Sequence, residues 1–129
     1  MSAAFPRPLS DREQALLDVL LAEQFSGVEA LRVQAQSVRV RGLHEGLPTV
    51  VLLEVADRDA PRADVVHAVP VEAVVRGEGE LLLFVKQGLL DSIELVTYAG
   101  DEPAELPTVE ALERPWVKTA DSQKPRSDG

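Results

Sequence analysis

Apolar and polar positions change their period twice along this chain. Leu16, Leu17, Leu20 and Leu21 share one face at helical spacing, with Asp18 and Glu23 away from its centre. Ser10-Asp11-Arg12-Glu13 ahead of them fits a capping box, and Asp11 and Glu13 complement the positive end of a helix dipole. The pattern predicts a helix from Asp11 to Gln24. Ser26-Gly27-Val28-Glu29 reads as a second capping box, with Val28, Leu31 and Ala35 on one side of a short helix and Phe25 folding onto that side. From Ser37 the period becomes two: Val38 and Val40 alternate with Arg39 and Arg41, as in a half-buried strand. Phe25 to Gly42 is thus the joint that docks helices onto a sheet.

After a loop punctuated by Gly42, Gly46 and Pro48, Thr49 to Val55 is nearly all apolar and predicts a strand covered on both faces. Asp57 to Asp64 is a polar loop. Pro70 lacks an amide hydrogen, so the next strand is placed at Val71 to Arg76. Gly77-Glu78-Gly79 turns into a strand at Leu81–Lys86, and Gln87 to Asp91 turns into a fifth at Ser92–Tyr98. In the last pair Leu81, Leu83 and Val85 lie on one side, as do Ile93, Leu95 and Thr97. Connections this short make antiparallel neighbours.

Beyond Gly100 the chain is spaced by Pro103, Pro107 and Pro115, with one or two helical turns at Thr108 to Glu113. Trp116, the single tryptophan, is expected to pin this arm over an edge or end of the core. Residues 119–129 are polar and predict a disordered tail. The fold expected is α+β: one domain over residues 1–118, with two N-terminal helices packed on a roughly five-stranded, mainly antiparallel sheet.

Composition narrows the chemistry. Among 129 residues there is no cysteine, which removes disulfides, thiolate metal sites and a cysteine nucleophile. The sequence shows no secretory signal and no apolar run long enough for a bilayer, so a cytoplasmic protein with no membrane role is the expectation. The net charge of −9 is uneven: residues 1–42 carry five acids and five bases, whereas residues 43–100 carry ten acids and four bases. Phosphates demand clustered cations, so direct nucleic-acid binding is disfavoured. The acidity serves solubility first and a basic protein partner second.

His44 and His67 are the only histidines, one beside Glu45 in a glycine-flanked loop, the other in an apolar run. No His-Glu-x-x-His spacing exists, and no metal or cofactor is predicted. Asp57, Asp59 and Asp64 are opposed by Arg58 and Arg62 and lack the glycine of a calcium loop. Glu78 would repel phosphate from the Gly77–Gly79 turn, and no serine lies in a nucleophile elbow. No catalytic residue is therefore assigned. Arg32 lies about 40° from Val28 on the helical wheel, at the margin of the buried stripe. It either forms an ion pair or covers the core edge with its stem, or else contacts an anion or partner. Arg32, His44, Glu45 and His67 are the ligand or partner candidates.

The run Phe25-x-Gly27-x-x-Ala30-Leu31-Arg32-x-Gln34, then the strand at Val38, then Leu82-Leu83-Phe84-Val85-x-x-Gly88-x-Leu90-x-x-Ile93-Glu94, resembles a group of short uncharacterised bacterial proteins. The resemblance covers Leu16 to Tyr98. Many members of that group carry a cysteine- and glycine-rich loop where this chain has Gly42 to Pro48. Without those cysteines the resemblance implies no metal or redox role here, and it supplies no activity. The expected function is a non-catalytic acidic protein-interaction module, in the manner of immunity or antitoxin proteins. The alternative is a small-molecule-binding protein or minor enzyme with a pocket between helices and sheet. A homodimer through the edge at Val65–Val71 is a third possibility.

Overall fold

The computed structural model describes residues 4–98, 105–113 and 115–117, Trp116 by its backbone alone. Helix α1 spans Asp11–Leu21, and its capping box is complete. Ser10 Oγ accepts from the Glu13 amide at 3.1 Å, and Glu13 Oε1 accepts from the Ser10 amide at 2.8 Å. Arg7 adds a two-pronged contact, Nη1 to Oε1 at 2.8 Å and Nη2 to Oε2 at 3.0 Å. The helix ends at Leu21 rather than Gln24. Arg32 explains the stop: its Nε donates to the Leu21 carbonyl at 2.7 Å and an Nη to that of Glu23 at 3.3 Å. A cation thus takes the orphan carbonyls at the negative end of the dipole.

Helix α2 spans Val28–Gln34, but the second capping box does not form. Gly27 is the N-cap, at φ +92°, and the Ser26 hydroxyl donates to the Asp64 carbonyl at 3.2 Å. Glycine is required twice over. Its φ is left-handed, and a Cβ would come within 3.0 Å of Val65 Cγ1 and 3.1 Å of the Asp64 oxygen. Val28 and Leu31 are fully buried and Phe25 nearly so, as the apolar spacing predicts. Gln34 is also fully buried, and all of its polar atoms are used. Nε2 donates to the carbonyls of Pro61 and Gly88, both at 2.8 Å, while Oε1 accepts from the Leu90 amide at 2.9 Å. The Gly88 carbonyl accepts a second bond from the Ala63 amide at 2.8 Å.

The strands are β1 (Val38–Leu43), β2 (Val50–Val55), β3 (Val71–Val75), β4 (Gly79–Lys86), β5 (Leu89–Thr97) and a two-residue β6 (Trp116–Val117). Their order in the sheet is β1-β2-β5-β4-β3-β6, and every pair is antiparallel. The α+β architecture expected from the periodicity is the one observed, with β6 as an addition to five full strands. At Gly79 a Cβ would overlap the Val96 carbonyl, which keeps that strand start a glycine. The β4–β5 turn needs only Gln87 and Gly88, at φ +54° and +79°, the left-handed pair that matches strand twist. Hence β5 begins at Leu89, earlier than its alternation suggests.

One face of the sheet and the helices make the core. Registers Val40↔Leu53, Val51↔Ile93, Leu83↔Ile93, Leu81↔Leu95 and Ala73↔Leu81 line up residues that are all buried with Leu16, Leu17, Leu20, Val28 and Leu31. Between Phe84↔Ser92 and Val85↔Leu90 the register shifts. Asp91 is the extra residue of this bulge, which returns Leu90 to the core and leaves Ser92 on the other face.

Strand β2 corrects an expectation. It alternates, with Val51 and Leu53 buried and Val50 and Leu52 half-exposed, so it is covered by the core on one face only. An all-apolar run predicts cover on both faces because composition does not report parity. Both sheet edges are occupied. Arg7 exchanges backbone bonds with Val40 beside β1, at 2.9 and 2.8 Å. Beside β3, Leu112 bridges Val75, and Val117 and Trp116 pair with Val71 and Glu72. The C-terminal arm thus covers an edge, with a 3-10 turn at Val109–Ala111. The Trp116 side chain and the expected tail over residues 119–129 lie outside the described residues.

Candidate functional site

The face of the sheet turned away from the helices is where the structure concentrates unsatisfied chemistry. Strand parity puts Leu52 and Val50 of β2, Ser92, Glu94 and Val96 of β5, and Phe84, Leu82 and Glu80 of β4 on this face. Register joins them in rows: Leu52↔Ser92↔Phe84, Val50↔Glu94↔Leu82, and Val96↔Glu80. Val50, Leu52, Val74, Leu82 and Phe84 are half-buried, yet none packs against the core cluster. Val96 is 49% exposed. The core cluster that holds α1 and α2 lies on the opposite face, and among the described residues these apolar side chains are shielded by their strand neighbours.

Carboxylates share that surface. Glu54 pairs with Arg39 at 2.6 Å at the β1 corner. Glu94 and Glu80 pair with no cation among the described residues. Glu94 accepts from the Ser92 hydroxyl at 3.0 Å, and Glu80 lies 3.4 Å from the Tyr98 hydroxyl. The phenol of Tyr98 is held above its ordinary pKa by partial desolvation and by the negative field of Glu80, Glu113 and Glu72. Arg41, the nearest other cation on β1, is committed to the Leu53 carbonyl at 2.9 Å and to Asp91 at 3.5 Å. Opposite charge placed here would find fixed carboxylates with apolar neighbours.

The four residues singled out by sequence lie on three separate segments. Arg32 is at the end of α2, bound to the carbonyls that close α1. It borders an open depression of about 250 Å³ with Asp18, Leu21, Ala22 and Ala35. His44 and Glu45 form the tip of a 3-10 turn after β1, 3.9 Å apart and both well exposed, with Glu45 at φ +52°. His67 is half-buried in the connection from β2 to β3. Two further open depressions lie beside α1, of about 230 and 280 Å³; both are lined by Arg12, and neither contains His44 or His67. Arg12 itself binds the Leu106 carbonyl at 2.8 Å and Glu105 at 3.2 Å.

Among the described residues no cluster of three or more histidines and carboxylates is arranged to hold a metal, and no helix is long and apolar enough to cross a membrane. Sequence reasoning passed over the outer face, although a signal for it existed. If Leu81, Leu83 and Val85 face the core, then Leu82 and Phe84 must face away, together with Glu80. Comparison of the chain with family models, curated proteins and solved structures gave no match.

Proposed function

We propose that the protein is a non-catalytic acidic interaction module for a basic protein partner, working in the cytoplasm in the manner of an immunity or antitoxin protein. One observation carries this reading: a sheet face away from the core cluster that combines apolar side chains with Glu94 and Glu80, carboxylates that pair with no cation among the described residues. Such a surface offers hydrophobic area for affinity and negative charge for steering and selection. The pocket reading has less support, because Arg32 already serves α1 and the histidines occupy other segments.

The test is capture from native lysate on the immobilised full chain, at low and at high salt. A stoichiometric basic partner, lost as salt screens the carboxylates, is the expected result. Recovery of no stoichiometric partner under either condition overturns the reading.

A further inference from the structure

Along β5 the outer face forms a furrow. Leu52 and Val50 stand on one side and Phe84 and Leu82 on the other, each opposite Ser92 or Glu94 between them. Adjacent strands lie about 5 Å apart, so the two apolar walls are roughly 10 Å apart, wide enough for one aliphatic stem. Ser92 forms the floor at 1% exposure. Its hydroxyl donates to Glu94 Oε2 at 3.0 Å, which fixes the carboxylate within the furrow. Apolar walls around an oriented carboxylate match a side chain that is apolar along its length and cationic at its tip.

We propose that this furrow receives a lysine or arginine from a basic amphipathic segment of a partner protein, its stem between the walls and its charged head on Glu94. The assignment rests on the interaction-module reading and gives it a docking position. Other occupants fit worse. A second copy docking by the same face would set Glu94 and Glu80 against an equally acidic surface. The edges are partly occupied, with Arg7 bridging Val40 beside β1 and Leu112 and β6 pairing with β3, and neither carries the apolar walls or Glu94. A partner that uses those walls lies across the face.

The full-length protein, isotopically labelled, is titrated with a helical leucine–lysine peptide and with a leucine–glutamate peptide of equal length. Amide shifts clustered at Leu52, Leu82, Phe84, Ser92 and Glu94 with the first peptide, and none with the second, are expected. Glu94→Gln keeps the shape and the hydrogen-bond acceptor, and should weaken the lysine peptide about tenfold. Asp59→Asn removes the same charge from an exposed loop residue off this face and should change the affinity less than about twofold. Equal weakening by the two variants, or shifts that map elsewhere, overturns the proposal. So does binding that appears only after residues 118–129 are removed, since Lys118, Lys124 and Arg126 of the chain would then be the occupants. A lysate partner recovered equally by wild-type and Glu94→Gln baits overturns the furrow alone. The wider reading fails separately, when the wild-type bait recovers nothing.

Discussion

The two faces of the sheet are built from similar residues and end in different conditions. On β4 the core face presents Leu81, Leu83 and Val85, all buried, and the outer face presents Leu82 and Phe84, both half-exposed. The first set is buried in one cluster with residues of α1 and α2; the second, among the described residues, meets strand neighbours and carboxylates. Apolar content alone therefore does not mark a core. What distinguishes the faces is whether another layer stands within contact distance.

Substitutions can break that comparison, and the largest effect belongs to the covered side. Leu31→Ala removes a fully buried side chain and should cost about 2–5 kcal/mol in urea unfolding. An unchanged midpoint would mean that the helix-to-sheet joint is misassigned. Gln34→Leu comes next. It leaves the Leu90 amide without its acceptor and removes a donor from Pro61 and Gly88, a loss of about 1–3 kcal/mol. A stabilised variant would show that the network is dispensable.

At the N-terminus the expected effect depends on pH. Burial raises the pKa of Glu13, but the Arg7 bond and the Ser10 contacts outweigh it and hold the carboxyl below its usual range. A depressed carboxylate stabilises the fold above its unfolded pKa, about 4, and that contribution is lost as pH falls through the folded value. The stability gap between wild type and Glu13→Gln should thus shrink on acidification below about pH 4. A gap that widens would reverse the assigned sign. The smallest effect lies on the outer face, where Leu82→Ser should change stability by less than about 1 kcal/mol. A cost equal to that of Leu31→Ala would mean that the outer face has a cover of its own, and the contrast between the faces would vanish.

Much of the fold was legible because local chemistry and global packing agree. The Ser10–Glu13 box, the Leu16–Leu21 stripe and the Val38–Arg41 alternation each point to the element that forms. The mismatches have one physical origin, namely that long-range contacts decide between local options. Ser26 serves Asp64 instead of its own helix, and Arg32 ends α1 early from 11 residues away. The candidate site was less legible. Charged and titratable residues attract attention one at a time, whereas the outer face is defined by which strands lie side by side. Leu52 and Phe84 are 32 positions apart in the chain and flank the same serine only because β5 lies between β2 and β4.

The buried amide of Gln34 also bears on the order of folding events. Its three bonds span 27, 54 and 56 residues, whereas the β3–β4 and β4–β5 hairpins close over short turns. Loop-closure entropy favours the hairpins first, so this junction locks late, after helices and sheet have met. Opening retraces closing, so a latch that closes last is the first to release. The Leu90 amide should therefore exchange with solvent hydrogen sooner than the buried amides at the centre of β4 and β5, through an opening smaller than global unfolding.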